Sequence, residues 1–213
     1  MNLKDIPYQR IPNVEEGVID TAEKFRQMTD GIALDGKRVL DIGSHYGEMC
    51  RMAADAGAKQ VLGIERNLET TLKAQSLSRH PVEQVEYRVG QAATVAGQFD
   101  VAILSGVLHH FTDKKSSLKQ IARVLQPDGM ALVGCKIGDG YPTLHEHRRL
   151  LEGYFDAVEV KCKVLSPDRS DRYLLICTSP KLLPPEAVLI IGKSEIGKST
   201  LARDLAVPRM QCI

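Results

Sequence analysis

Charge of one sign is what this sequence most plainly lacks. Lys and Arg number 28 against 27 Asp and Glu, a formal net charge of +1. No basic surplus of the kind that wraps nucleic acid is present, although a local patch for RNA stays open. No apolar run reaches membrane-spanning length. The opening MNLKDIPYQR has no apolar core of a signal peptide. The five cysteines, Cys50, Cys135, Cys162, Cys177 and Cys212, show neither CxxC spacing nor a His pair at ligand spacing. Several lie inside apolar runs, where a free thiol packs as a small hydrophobe. The pattern speaks against a disulfide framework and a metal site, and reads as a reducing, cytoplasmic compartment. Internal repeats and low-complexity tracts are missing as well.

What remains is an ordinary globular composition, 43% hydrophobic and 26% charged. From Arg38 onward, apolar strands alternate with amphipathic helices, which argues for an α/β sheet of mostly parallel strands. Strands are expected at 38–42, 61–64, 85–89, 99–104 and 130–135, with helices near 47–56, 69–78, 116–125 and 143–153 between and after them. Pro127-Asp128-Gly129 reads as the turn before the fifth strand. Two more strands, 157–164 and 172–178, are joined by turn residues without a helical pattern, so they pair antiparallel. The expected fold is Rossmann-like: seven strands, a terminal antiparallel hairpin, and helices on both faces. It occupies residues 36–179. Residues 1–35 form an N-terminal extension with a helix over 14–28, and 180–187 a proline-bracketed linker.

The first strand runs into Asp41-Ile42-Gly43-Ser44-His45-Tyr46-Gly47. Glycines at a strand-to-helix turn let the backbone fold tightly and come close to a ligand. Glu65 ends the second strand 24 residues after Asp41. A carboxylate there can accept hydrogen bonds from both hydroxyls of a ribose. The G-x-G-x-x-G of dinucleotide binders fails, because His45 stands between Gly43 and Gly47. An Asp at the strand end disfavours a diphosphate and suits a cationic amino-acid end.

With these residues in view, VLDIGSHYG resembles the first motif of the class I S-adenosylmethionine-dependent methyltransferases. VLGIE resembles their acidic second strand, FDVAILSGVLHHF their fourth-strand motif, and LQPDGMALVG their fifth-strand turn. The resemblance implies S-adenosylmethionine as cofactor. It places Gly43, Ser44, His45 and Gly47 in the loop around the methionine and ribose, with Asp41 near the amino group or a water beside it. Glu65 would take the ribose hydroxyls and Gln91 the adenine amine. Ser105 and Gly106 would approach from the other side. His45 replaces the usual middle glycine. His109 and His110 follow the fourth strand where the methyl acceptor should lie, so either is a candidate general base. Tyr8-Gln9-Arg10 is a candidate lid. The expected acceptor is a small molecule or saccharide, with RNA not excluded, and no membrane is implied.

A second motif stands near the end. VLIIGKSEIGKST fits G-x-x-x-x-G-K-[ST], with Gly192, Gly197, Lys198, Ser199 and Thr200 in the phosphate loop. Backbone N–H groups would hold phosphates, Lys198 would reach the outer ones, and Ser199 would ligate Mg²⁺ of bound ATP. The stretch from Thr200 to Ile213 cannot supply the further parallel strands, the metal-placing acid and the nucleophile-orienting groups that such a fold needs. The expectation is an incomplete P-loop segment over 188–213, with a kinase-like domain downstream in a longer chain. Two alternatives stand beside the methyltransferase: a truncated nucleotide-dependent kinase or NTPase, and an inactive methyltransferase-fold module.

Overall fold

The expected alternation builds one sheet in the computed structural model, which describes residues 9–10, 19–138, 140–165 and 171–181. The chain divides into two units, Met1–Lys181 and Leu182–Ile213, and the described residues belong to the first. Gly192, Gly197, Lys198, Ser199 and Thr200, expected in a phosphate loop, lie outside the described residues, as do Tyr8 and most of residues 180–187, expected to be a linker.

The strands are β1 Arg38–Ile42, β2 Gln60–Glu65, β3 Val85–Val89, β4 Phe99–Ser105, β5 Leu125–Ile137, β6 Phe155–Leu165 and β7 Asp171–Pro180. Their order across the sheet is β3-β2-β1-β4-β5-β7-β6. Pairing is parallel from β3 to β5, and β7 runs antiparallel to both β5 and β6. The helices are α1 Thr21–Thr29, α2 Glu48–Asp55, α3 Leu68–Leu77, α4 Lys114–Val124 and α5 Leu144–Leu151. Single 3₁₀ turns occupy Ala92–Thr94 and Leu108–His110.

Side chains alternate across each strand, so β1 feeds two cores. Leu40 and Ile42 join Leu104, Val133, Leu118 and Ile121 on the face covered by α4 and α5. Val39 joins Phe25, Met28, Met49, Ala53 and Val101 on the face covered by α1 to α3. Burying both faces is what parallel strands require, and it explains why they read as near-continuous apolar runs. Helix α1 therefore contributes to the core, although its sequence belongs to the stretch read as an extension.

Two local expectations need correction. The first described helix starts at Thr21, directly after Ile19–Asp20, which pairs in parallel with Gln9–Arg10, and the Asp20 carboxylate caps the Glu23 amide at 2.9 Å; residues 14–18 of the expected helix lie outside the described residues. The second concerns Pro127-Asp128-Gly129, which is not a free turn. It lies within β5 as an irregularity, where the register passes from Phe99↔Leu125 to Val101↔Met130. The strand absorbs the extra residues as a bulge would. A side chain at Gly129 would meet the Gln126 carbonyl at 2.9 Å.

The strand order reverses between β1 and β4. In open α/β sheets that is where a crevice opens beyond the carboxyl ends of the strands. Everything that follows sits there. Among the described residues no helix is long and apolar enough to cross a membrane.

Leu104 is fully buried under α4, next to that crevice. Leu104→Ala is expected to lower unfolding free energy by about 2–5 kcal/mol, read from the shift in urea midpoint. A loss under about 1 kcal/mol would show that this core is not close-packed.

Candidate functional site

Strand β1 stops where its partner lets it. The Gly43 amide donates to the Ile64 carbonyl at 2.8 Å and the Ser44 amide to the same oxygen at 3.1 Å. These two bonds turn the chain off the sheet edge into the loop. Gly43 has φ 73°, and a Cβ there would lie 2.4 Å from Val107 Cγ1. No other residue fits, because the loop after β1 and the loop after β4 touch at this point. Gly47 also has φ 73°, and a Cβ on it would fall 2.3 Å from the Tyr87 ring.

His45, between them, has φ 50°. The position of the usual middle glycine is thus still left-handed, occupied by one of the few side chains that tolerate it. From that conformation the His45 amide donates to Glu65 Oε2 at 3.2 Å. The Asn67 amide donates to the other oxygen at 3.0 Å. Gly90 donates to the Glu65 carbonyl at 2.9 Å, tying in the end of β3. Glu65 is therefore aimed by three neighbouring backbone segments.

The crevice holds a cleft of about 480 Å³. Gly43, His45, Glu65, Gln91 and Ser105, all named from the sequence, line it together with His110. Asp41, Ser44 and Gly47 do not appear among the lining residues. Asp41 and Ser44 are buried, and Gly47 packs against Tyr87. Lining residues that sequence reasoning missed include Ile64, Val107, Phe111, Asp113 and Ser117. One of them left a readable trace: Asp113 is the cap of α4, accepting from the Ser116 amide at 3.0 Å and its hydroxyl at 2.6 Å, a D-x-x-S pattern.

The histidine pair is split by the structure. His110 faces the cleft. His109 instead lies edge-on to Tyr141, with ring centroids 5.1 Å apart, and Lys136 Nζ sits 4.7 Å over the same tyrosine ring. Burial, then the neighbouring His110, Arg172 and Lys136, push the His109 pKa down to about 4. It is a neutral imidazole at physiological pH. His147 is held differently, its Nε2 lying 3.2 Å from the Lys136 carbonyl. Among the described residues no cluster of His, Cys, Asp and Glu could hold a metal ion.

Asp41 points into the α2 side of the sheet, where the Cys50 thiol donates to its Oδ2 at 3.3 Å. Burial raises its pKa to about 7, against the thiol hydrogen bond and the Lys24 charge, which lower it. Lys24 on α1 is pushed the opposite way, to about 8, by burial and then by Arg172. A buried carboxyl poised near neutrality beneath a glycine loop is a group whose charge a ligand can set.

Comparison with known proteins bears on the domain and its fold. Residues 40–133 match the family model described as a methyltransferase domain. The chain is 29% identical over 133 residues to the uncharacterized methyltransferase YcgJ of Bacillus subtilis, covering 61% of this chain and 52% of that protein. It is 35% identical over 130 residues to a ubiquinone biosynthesis O-methyltransferase of Idiomarina loihiensis, covering 58% of this chain and 49% of the relative. The chain thus spans about half the length of these curated relatives. Among solved structures, the Burkholderia thailandensis 1,6-didemethyltoxoflavin-N1-methyltransferase, with bound 1,6-didemethyltoxoflavin and S-adenosylhomocysteine, superposes with a TM-score of 0.60 at 21% identity, over 76% of this chain and 82% of that one. The family match ends at residue 133 and lends no support to the phosphate loop at 192–200. Residues 40–133 thus match a methyltransferase domain, and the described chain has the fold of the class I S-adenosylmethionine-dependent methyltransferases.

Proposed function

We propose that this chain transfers a methyl group from S-adenosylmethionine to a small-molecule or saccharide acceptor. One observation carries the reading most strongly: Glu65 is fixed at the crevice by the amides of His45 and Asn67. A carboxylate so aimed, across from a glycine cradle that a single Cβ would fill, matches a ribose diol. The residues present fit the cofactor. Glu65 would hold the ribose, Gln91 and Asp113 the adenine end of the cleft, and the Gly43–Gly47 loop the methionine portion. Asp41 would act on the methionine ammonium from below, through a bridging water.

Bound there, the cofactor supplies an electrophilic methyl on a sulfonium. The chain's own part is to align the acceptor and exclude water. A base is needed only where the acceptor keeps its proton. His109 is the candidate for that contact and His110 a cofactor-side neighbour. Being neutral, His109 can accept a hydrogen bond from an acceptor hydroxyl. Its low pKa makes it a weak proton sink. The printed name of the Idiomarina relative, an O-methyltransferase of ubiquinone biosynthesis, favours a hydroxyl on a small molecule. The near-zero net charge argues against an RNA substrate gripped mainly through its phosphates.

Calorimetry with S-adenosylhomocysteine is expected to show saturable binding, weakened at least tenfold by Glu65→Ala, since a charge-assisted hydrogen bond contributes about 1.5–3 kcal/mol. No heat with the parent protein, or an unchanged variant, would overturn the reading.

The pH dependence follows from Asp41. A folded-state pKa raised to about 7 means the free protein keeps a proton there that the unfolded chain releases near pH 4. Stability from this group is therefore lost as pH rises from about 4 to about 7. A bound ammonium favours the ionised form, so ligand affinity runs the other way and falls as pH drops below about 7. Asp41→Asn should flatten both trends, in thermal melts and in binding titrations.

His109→Ala is expected to lower kcat by about tenfold, the worth of one neutral hydrogen bond, with S-adenosylhomocysteine affinity unchanged, whereas His110→Ala weakens that affinity. The parent kcat should show no inflection from His109 between about pH 6 and 8, since its pKa lies near 4. An unaltered kcat in His109→Ala would remove that residue from the reaction.

A further inference from the structure

The loop that aims Glu65 lacks the glycine its geometry asks for. His45 sits at φ 50°, a conformation that costs an ordinary side chain free energy and persists only where the surroundings enforce it. The Gly47 amide closes the turn on the Ser44 carbonyl at 2.8 Å, and the side chain that braces it is Arg51. It lies one turn into α2 with its side chain 4% exposed. One guanidinium nitrogen donates to the Tyr46 carbonyl at 2.7 Å, and another to Glu48 Oε2 at 2.6 Å. The Tyr87 hydroxyl adds a bond to the Gly47 carbonyl at 3.2 Å. Glu48, the first residue of α2, keeps its carboxylate near the helix N-terminus, where negative charge is favoured.

The consequence runs back through the loop. Arg51 fixes the orientation of the Tyr46 carbonyl, so the Tyr46–Gly47 peptide, one residue beyond His45, cannot rotate freely. The left-handed turn is held, and the His45 amide stays on the Glu65 carboxylate. A buried Arg that only balanced a charge would need the carboxylate alone. The second bond, to a loop carbonyl, is what links it to the cleft.

We infer that Arg51 is a positioning residue: with Glu48 and Tyr87 it replaces the conformational freedom of the missing glycine and holds Glu65 ready for the ribose. This rests on the cleft being the site of S-adenosylmethionine, as proposed above. Arg51 touches neither cofactor nor acceptor, and its effect should appear in cofactor affinity.

Arg51→Lys keeps the positive charge but offers one point donor in place of a planar fork. It is expected to weaken S-adenosylhomocysteine binding by about tenfold, the order that one strained left-handed residue carries. KM for S-adenosylmethionine should rise to match, with kcat at saturation within about threefold. The deciding measurement is the same substitution on a His45→Gly background, where the turn needs no enforcement. There the penalty should shrink to about twofold or less, as a double-mutant cycle reads it. Circular dichroism and thermal melts confirm that each variant is folded; should Arg51→Lys fail to fold, Arg51→Gln carries the same cycle. An equal penalty in both backgrounds, or no penalty in a folded variant, overturns the role of Arg51. Failure of the parent to bind S-adenosylhomocysteine overturns instead the reading of the cleft.

Discussion

Two backbone bonds to a single oxygen, the Ile64 carbonyl, set the geometry of this molecule. They end β1 at Ile42 and turn the chain across the head of β2. Because the strand order reverses between β1 and β4, the turned loop meets the segment at Val107 that follows β4. The contact is close enough to exclude a Cβ at Gly43. The placement of Glu65 at the end of β2 and of Gln91 just past the end of β3 then follows from sheet register. Parallel strands with matched ends deliver their next residues to one rim.

That rim is built over an electrostatic cost. Asp41 lies on β1 in the cluster side of the sheet that also holds Met49 and Val39, with 2% of its surface exposed. An ionised carboxylate there would lack solvation. The protein answers with a thiol donor from Cys50 and with the field of Lys24, and both partners are strained by the arrangement. Cys50 is driven well above the ordinary thiol range, chiefly by burial and then by Asp41. Lys24 sits below the ordinary lysine range. The cluster joins α1, β1 and α2, so the helix preceding the sheet is electrostatically coupled to the site and packed on the same core.

Much of this was readable from sequence because burial on both faces writes itself as apolar runs. The seven strands, the terminal hairpin, the two flanking glycines of the loop and Glu65 all came from such local patterns. What escaped reading was non-local. The stretch Gln126–Gly129 has every mark of a turn, and only pairing with β4 reveals it as part of a strand. His109 and His110 are neighbours in sequence, yet a 3₁₀ turn sends one to the cleft and the other to Tyr141. Arg51 is one charged residue among many in a helix. Its meaning appears only when the Tyr46 carbonyl is seen beside it. His45 shows the converse: the sequence marked it as a departure, and the backbone keeps the left-handed turn all the same.

Among the described helices, α1, α3, α4 and α5 each carry a side-chain cap, from Asp20, Asn67, Asp113 and Thr143, and α2 has none. The usual remedy for a bare helix start is an Asn or Asp, and Tyr87 forbids it here. Residue 47 is therefore closed to routine thermostabilisation, and gains in melting temperature must be sought at the far ends of the strands. A lineage drifting toward higher stability would have to change Tyr87 first, which would release the Gly47 carbonyl and disturb the rim. Robustness and the shape of this rim are thus locked to one aromatic ring.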